Sequence, residues 1–184
     1  MSQITNTVLM IRPVQFRMNE QTSVNNYYQK GLENTRPEAV NKMAVKEFDG
    51  MVKKLKKAGI QVIVVKDTKE FDTPDSIFPN NWISFHANGT IGLYPMFAKN
   101  RRLERKESVL EAVEAQGFVV KNVIDYTAAE ADNLFLEGTG SILLDRVNNK
   151  AYCAISDRAD EELFIEFCED FEYTPVVFSA YQTV

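Results

Sequence analysis

Two groups of polar residues in the sequence have the chemistry of a binding site for a small charged molecule. Each combines an arginine, which can bind a carboxylate, with carboxyl or amide groups. The first group is Asp75, Asn80, Asn81 and Arg101, and the second is Glu137 and Arg158. Each group brackets a predicted β-hairpin, whose first strand starts at the end where its second strand finishes. If both hairpins surround one axis, the groups meet at one mouth. This predicts a polar cavity for a small molecule with a carboxylate at one end.

These residues also have plainer structural interpretations. Asp75 follows a proline and is typical of a turn, and the two asparagines are turn formers as well. Arg101 lies in a charge-rich stretch that is typical of a solvated helix start. Arg158 has Asp157 and Glu162 close in sequence as partners for a surface ion pair. The residue types alone therefore leave both interpretations open.

The other candidate residues favour structural roles. Residues 138–140 (Gly-Thr-Gly) lack the Gly-Lys-Ser/Thr ending of a phosphate loop and lead into a strand, which argues against nucleotide binding. His86 lies in a predicted strand beside the hairpin turn. Cys153 is predicted in a strand and Cys168 on a buried helix face, with no base beside either. We expect inert core thiols, no metal site and no cofactor.

A repeated pattern of elements would position the polar groups. Hairpins are predicted over residues 82–94 and 141–155, around an Asn-Gly turn and an Asn-Asn turn. A helix and a further strand follow each hairpin. This order, strand–strand–helix–strand, predicts that the two polar groups occupy equivalent places in successive units.

The helices and closing strands follow from apolar periodicity. The last helix has an apolar stripe with helical spacing: Leu163, Phe164, Phe167, Cys168 and Phe171. Ser156 or Asp157 is predicted to cap it. Closing strands are predicted at 118–120 and 175–178, and a capping-box helix at 127–130 lies between the units.

The first part of the chain is a variant of the same unit. It has a strand over residues 8–11, a helix from Pro37 to Gly59, and a closing strand over residues 61–65. The closing strands are predicted to start at positions 61, 118 and 174, so the period is nearly constant. We therefore predict an α/β protein with modules at about 1–68, 75–125 and 135–181, arranged as propeller blades. A single three-layer α/β sheet is the alternative.

Composition narrows the class of protein. The 184 residues are 45% hydrophobic and 26% charged, which is typical of one globular domain. A net charge of −5 argues against nucleic acid as a partner. The apolar runs are far below the roughly 20 residues that span a bilayer, so no membrane association is expected. Two cysteines and no signal-peptide pattern at the N-terminus predict a cytoplasmic protein.

Six segments resemble a known family. In order along nearly the whole chain they are MIRP (10–13), DSIFPNNW (75–82), LYPM (93–96), NRRLER (100–105), FLEGTGS (135–141) and SDRAD (156–160). They resemble the arginine-deiminase-related branch of the amidinotransferase-like (pentein) superfamily, and within it the bacterial citrulline-hydrolase type. The resemblance implies a five-bladed α/β propeller, of which this chain would hold three modules.

The resemblance also implies a reaction. In the family a cysteine thiolate attacks the central carbon of a guanidinium or ureido group, a histidine moves protons, and an acidic residue orients the histidine. It implies that Glu137 is the orienting acid. Asp75, Asn80 and Asn81 would face the guanidinium or ureido group, while Arg101 and Arg158 would bind the α-carboxylate of an amino-acid substrate.

Asn80 and Asn81 depart from the acidic residues of dimethylarginine-hydrolase-type relatives. A carboxylate pair holds a charged guanidinium, whereas amides offer both donors and acceptors and suit a neutral ureido group. The departure predicts a citrulline-like substrate rather than arginine.

A second departure concerns the family's histidine and nucleophilic cysteine, which His86, Cys153 and Cys168 do not match. We expect both beyond residue 184, so the chain would be the truncated first part of a hydrolase and inactive alone. Uncovered module edges predict self-association. An arginine deiminase or amidinotransferase parent is one alternative. A non-catalytic protein that binds a small amino acid is another.

Overall fold

The computed structural model describes residues 2–26, 29, 31 and 35–181, so the chain end at 182–184 lies outside the described part. The chain forms two compact units. Unit A contains the described residues of Met1–Ile4, Asn80–Phe97 and Val119–Val184, and unit B contains those of Thr5–Pro79 and Ala98–Phe118. Each unit contains some of the predicted site residues.

Unit B is built on two parallel strands. Strand β1 (Thr7–Arg12) pairs in register with β2 (Gln61–Lys66). Helices α1 (Glu20–Ser23) and α2 (Pro37–Lys57) lie between them in the chain. Pro37 is favourable in the first turn of α2, where a backbone N–H has no helical partner. This βαβ arrangement confirms the predicted first strand, helix and closing strand.

Unit B also contains α3 (Glu107–Glu114) and a 3-10 helix over Lys99–Glu104. Residues of the two strands, α2 and α3 form its buried apolar interior: Ile11, Phe48, Val62, Ile63, Val109 and Val113. The 3-10 helix contains Arg101, so Arg101 and Asp75 lie in the same unit.

Unit A contains two three-stranded sheets of the same topology. In the first, β3 (Ile83–Phe85) is antiparallel to β4 (Thr90–Leu93), and β5 (Asn122–Asp125) is parallel to β4. The turn requires glycine at position 89, where φ is +86° and a Cβ would lie 2.8 Å from the Val119 carbonyl oxygen. The Asn-Gly hairpin is confirmed.

The second sheet has the order β6 (Ile142–Asp145), β7 (Lys150–Ala154), β8 (Thr174–Phe178). The short helix α4 (Gly138–Ser141) precedes it, and α5 (Glu161–Asp170) connects β7 to β8. The predicted stripe of α5 is buried in an apolar cluster with inward-facing residues of the sheet: Ile142, Leu144, Ala151 and Cys153. Because β6 and α5 both pack into this cluster, the loops that precede them are held in place at their ends.

The α/β class and the repeated unit are confirmed. The described strands form three separate sheets, which excludes the alternative of one continuous sheet. Within the described residues the first sheet has two strands rather than three. The arrangement of modules as propeller blades and their boundaries remain predictions.

The predicted strand at 118–120 is wrong, because β5 begins at Asn122. After α3 the chain turns at Gly117 (φ +95°), and the Phe118 N–H donates to the Val113 carbonyl. The parallel ladder then pairs Thr90 with Asn122. Pairing with β4 fixes the start of the strand, and β propensity does not.

Both predicted side-chain caps are also wrong. Asp160 caps α5 by accepting from the Leu163 N–H, because Ser156 is engaged in a bridge with Ala159 before the helix starts. Residues Thr127–Asp132 form a 3-10 helix without a side-chain cap. A Glu130 carboxylate oxygen instead accepts from the Met96 N–H at 2.8 Å.

Candidate functional site

The first candidate site centres on the Glu137 carboxylate in unit A. Two backbone hydrogen bonds fix the position of this residue. The Leu136 N–H donates to the Pro95 carbonyl, and the Glu137 N–H donates to the Arg158 carbonyl. The residue is only 1% exposed. Its Oε1 accepts from the Phe97 N–H at 3.2 Å, and its Oε2 accepts from Asn81 Nδ2 at 3.1 Å. A buried carboxylate needs such donors, and they hold it in one orientation.

Two glycines let the Asn80–Asn81 turn lie against this carboxylate. Gly138 has φ +39°, and a Cβ there would come within 2.5 Å of the Asn80 carbonyl oxygen. A Cβ on Gly140 would overlap the Asn81 amide nitrogen. The Gly-Thr-Gly run therefore serves close packing of two loops, and its glycines keep the Asn81 amide against Glu137.

Arg158 completes this group. Its Nη1 lies 3.5 Å from Glu137 Oε2, and its guanidinium carbon lies 5.6 Å from the centre of the Phe97 ring. The Arg158 side chain is 18% exposed. The ion pair that the structure shows for Arg158 is thus with the buried Glu137, a partner that the surface-pairing interpretation did not include. A partly exposed guanidinium beside a buried carboxylate can still receive an anionic group.

The second candidate site surrounds Asp75 in unit B. Its backbone carbonyl accepts from the Phe78 N–H, which is the predicted turn. Its side chain is buried, and Oδ2 accepts from Asn19 Nδ2 at 2.8 Å and lies 3.1 Å from the Thr22 hydroxyl. Asp75 is thus both a turn residue and a buried, oriented carboxylate.

Arg101 and Glu104 form a tight ion pair in the same unit. Nε and Nη2 of Arg101 donate to the two oxygens of Glu104 at 2.9 and 3.0 Å. Nη2 also reaches the Phe78 carbonyl at 3.1 Å and the Asp75 carbonyl at 3.4 Å. Burial raises the pKa of Glu104 to about 7, against the lowering effect of Arg101. The interpretation of Arg101 as a solvated residue is wrong.

His86 and the two cysteines are buried in unit A. Burial and Arg146 lower the pKa of His86 to about 3, and its ring stacks on Phe171. Burial raises the thiol pKa to about 11 for Cys153 and about 12 for Cys168. A neutral imidazole and two protonated thiols at pH 7 have the character of core residues.

The predicted residues are thus brought together in two sets. Asn81, Glu137 and Arg158 are in direct contact within unit A. Asp75 and Arg101 are in contact within unit B. The Asn80 side chain is exposed, and its carbonyl accepts from Thr139. A common mouth for both sets remains a prediction.

Sequence reasoning missed several residues that hold these groups. Glu104 had a usable signal, because it lies three residues after Arg101. Asn19 had none, since it meets Asp75 across 56 residues of sequence. Asn100 lies in the recognised segment 100–105, but its pairing with Asn19 across 81 residues left no local signal. No group of three metal-ligating side chains exists among the residues that the structure describes. No described helix has the length and apolarity needed to cross a membrane.

Comparison with known proteins gives the family. Residues 12–184 match the family described as N,N dimethylarginine dimethylhydrolase, eukaryotic. The chain belongs to this family, and the resemblance to the pentein superfamily is confirmed. No curated protein matches the sequence significantly.

Solved structures show the same fold. The substrate-bound N-terminal domain of ArgZ, an arginine dihydrolase from the ornithine-ammonia cycle in cyanobacteria, matches with TM-score 0.68 and 18% identity over 96% of this chain. AgrE with L-arginine matches with TM-score 0.71 and 19% identity, over 96% of this chain and 24% of AgrE. A dimethylarginine dimethylaminohydrolase adduct with S-methyl-L-thiocitrulline matches with TM-score 0.63 and 14% identity, over 96% and 62%. The chain spans 58% of the ArgZ domain.

Proposed function

We propose that this chain supplies the substrate-binding part of a hydrolase that cleaves a C–N bond of a citrulline-like amino acid, ureido or guanidino, through a covalent cysteine intermediate. The observation that carries the proposal is the buried Glu137 carboxylate, held by Phe97 and Asn81 beside Arg158 in a chain of this family. The solved relatives carry arginine or a thiocitrulline adduct, which are compounds of the same class.

The roles divide by chemistry. Glu137 is the acidic residue that would orient a histidine, because a fixed and buried carboxylate fixes an imidazole's direction. Arg158 would bind the α-carboxylate, and Arg101 is the second arginine proposed for it. Asp75 would accept N–H groups from the guanidino or ureido end of the substrate. Asn80 and Asn81 would contact that same end.

The Asn81 amide makes one hydrogen bond to Glu137, through its nitrogen. An amide group has two N–H donors and an oxygen that accepts, so Asn81 would still offer an N–H to a ureido oxygen and its Oδ1 to a ligand N–H. Both ureido and guanidino groups have such N–H groups, whereas only the ureido group has the oxygen. The proposed preference for citrulline over arginine therefore rests on the amide donors of Asn80 and Asn81.

The nucleophile and the proton-transferring histidine are not among the candidates in this chain. Cys153 and Cys168 hold their protons at neutral pH, and His86 is enclosed between Ser84 and Phe171. We propose that both groups come from additional polypeptide, so that the 184 residues bind substrate weakly and release no product. Self-association and a cytoplasmic location remain predictions.

The test is an NMR titration of the 184-residue chain with citrulline, arginine and ornithine, together with an assay for released ammonia. We expect a dissociation constant of about a millimolar for citrulline or arginine and no turnover. Asp75→Asn should weaken binding, because Asp75 is proposed to contact the substrate, whereas Asn148→Ala, in an exposed turn, should not. A folded chain that binds none of the three amino acids would refute the proposal. Binding without turnover, even after the missing residues are supplied, would favour a non-catalytic binding protein.

A further inference from the structure

A buried network of amides in unit B surrounds the Asp75 carboxylate. Asn19 is fully buried where it caps α1, and Asn100, in the 3-10 helix, is buried next to it. The two amides pair with each other: Asn100 Nδ2 donates to Asn19 Oδ1 at 2.9 Å, and Asn19 Nδ2 donates to Asn100 Oδ1 at 3.2 Å. Paired amides deep in a protein are mutually satisfied and rigid.

The Asn19 side chain uses its whole hydrogen-bonding capacity. Its nitrogen donates to Asn100 and to Asp75 Oδ2, and its oxygen accepts from Asn100 and from the Gln21 N–H. Rotating the amide by half a turn would place its oxygen against the carboxylate. An aspartate at position 19 would do the same with a like charge. Only an amide in this orientation makes all four hydrogen bonds.

The same network reaches the Arg101 turn. The Asn100 N–H donates to Gln21 Oε1 at 3.0 Å, which ties the turn to α1. The next residue, Arg101, reaches the Asp75 carbonyl with Nη2. Asp75 is therefore held through its side chain by Asn19 and through its backbone by Arg101.

The two oxygens of the Asp75 carboxylate differ in their hydrogen bonding. Oδ2 receives the Asn19 amide and lies beside the Thr22 hydroxyl. Among the described residues no hydrogen bond to Oδ1 is present, and Asp75 is 7% exposed. A carboxylate with one anchored oxygen has its second oxygen pointing in a fixed direction.

We propose that Asn19 and Asn100 are positioning residues, which anchor Asp75 Oδ2 so that Oδ1 accepts an N–H from the guanidino or ureido end of the substrate. This inference rests on the proposed function, because it needs Asp75 to contact substrate. Asn19 and Asn100 act through Asp75 and have no substrate contact of their own.

A double-mutant cycle read by NMR titration with citrulline and arginine tests the inference. Asn19→Ala should weaken binding about tenfold, the equivalent of one hydrogen bond to a charged group. In an Asp75→Ala background the same change should have no further effect, since Asn19 acts only through Asp75. Asn148→Ala, which removes another amide paired with an aspartate, is the matched control and should bind like the parent chain.

The outcomes separate the inference from the proposed function. Binding that Asp75→Ala weakens but Asn19→Ala does not would overturn the inference and leave the function standing. An equal loss from Asn19→Ala in both backgrounds would also overturn it. A folded parent chain that binds neither amino acid would overturn both. If Asn19→Ala loses its dispersed spectrum, Asn100→Ala replaces it with the same expected loss of affinity.

Discussion

Two arginine–carboxylate pairs in this molecule differ in how completely they are enclosed. Arg101 and Glu104 meet through two hydrogen bonds, and their side chains are 4% and 1% exposed. Arg158 and Glu137 meet at one longer distance, 3.5 Å, and Arg158 is 18% exposed. The carboxylate is buried in both pairs, so the pairs differ in the exposure of the arginine side chain.

Because of this difference, Arg101 is suited to holding a loop, whereas Arg158 is suited to binding a ligand. The Arg101 guanidinium is shared among Glu104 and two backbone carbonyls of the turn that contains Asp75. A substrate carboxylate at Arg101 would have to share that guanidinium with Glu104. At the other pair the Phe97 N–H and the Asn81 amide also donate to Glu137, and the Arg158 side chain is partly exposed. The Arg158 pair is therefore the better candidate for direct carboxylate binding.

The largest expected effect is on stability when Glu104 is removed. Glu104→Ala leaves the Arg101 charge buried without its partner, which should lower the free energy of unfolding by about 3–5 kcal/mol. Glu137→Ala should cost about 1–3 kcal/mol, because it leaves neutral donors unpaired beside a partly exposed arginine. Urea unfolding of both variants makes the comparison. Equal losses would show that the two pairs are enclosed to the same degree.

The second effect is a dependence of stability on pH. The pKa of Glu104 is raised by burial from 4.5 to about 7, so the folded state binds its proton more tightly than the unfolded state. Stability from this group is fully present below pH 4.5 and is lost as the pH rises through 7. Glu104→Gln should remove this slope when its unfolding is compared with the parent at each pH. A parent and variant with parallel pH profiles would contradict the assignment.

His86 gives the opposite slope and serves as an internal comparison. Its pKa is lowered to about 3, so its contribution is present above pH 6.5 and is lost as the pH falls toward 3. The difference between the parent chain and Glu104→Gln cancels this term.

The smallest effect concerns the glycine beside Asn81. Gly140→Ala should turn the Asn81 amide away from Glu137, with a loss of about 1 kcal/mol and weaker ligand binding. Gly50→Ala is the matched control, since nothing lies within 4 Å of the added Cβ in the middle of α2. That control should gain up to about 1 kcal/mol from helix propensity. A Gly140→Ala variant as stable as the parent would show that Asn81 does not need its present orientation.

The local parts of the fold were accessible from the sequence. The Asn-Gly turn at 88–89, Pro37 at the start of α2 and the apolar stripe of α5 each act within a few residues, and each was predicted. The start of β5 was not, because Val119 has strand propensity but the ladder with Thr90 begins only at Asn122. Propensity identifies a strand and pairing decides its register.

The candidate site divides in the same way. Motif resemblance identified Glu137, Asp75 and Arg158, because these residues lie in recognisable segments. It did not show that Arg101 is enclosed by Glu104, since a charge-rich stretch has the same composition whether it is solvated or paired. It also missed Asn19, whose contact with Asp75 spans 56 residues of sequence. Long-range hydrogen bonds leave no local pattern.

The most direct measurement of the central claim follows the Phe97 amide signal during a titration with citrulline and arginine. This N–H donates to Glu137 beside Arg158, so it reports on ligand at that pair. We predict that the signal moves in the parent chain, and that in a folded Arg158→Ala variant the affinity falls at least about tenfold. An unchanged Phe97 signal, or an unchanged affinity in Arg158→Ala, would contradict the account.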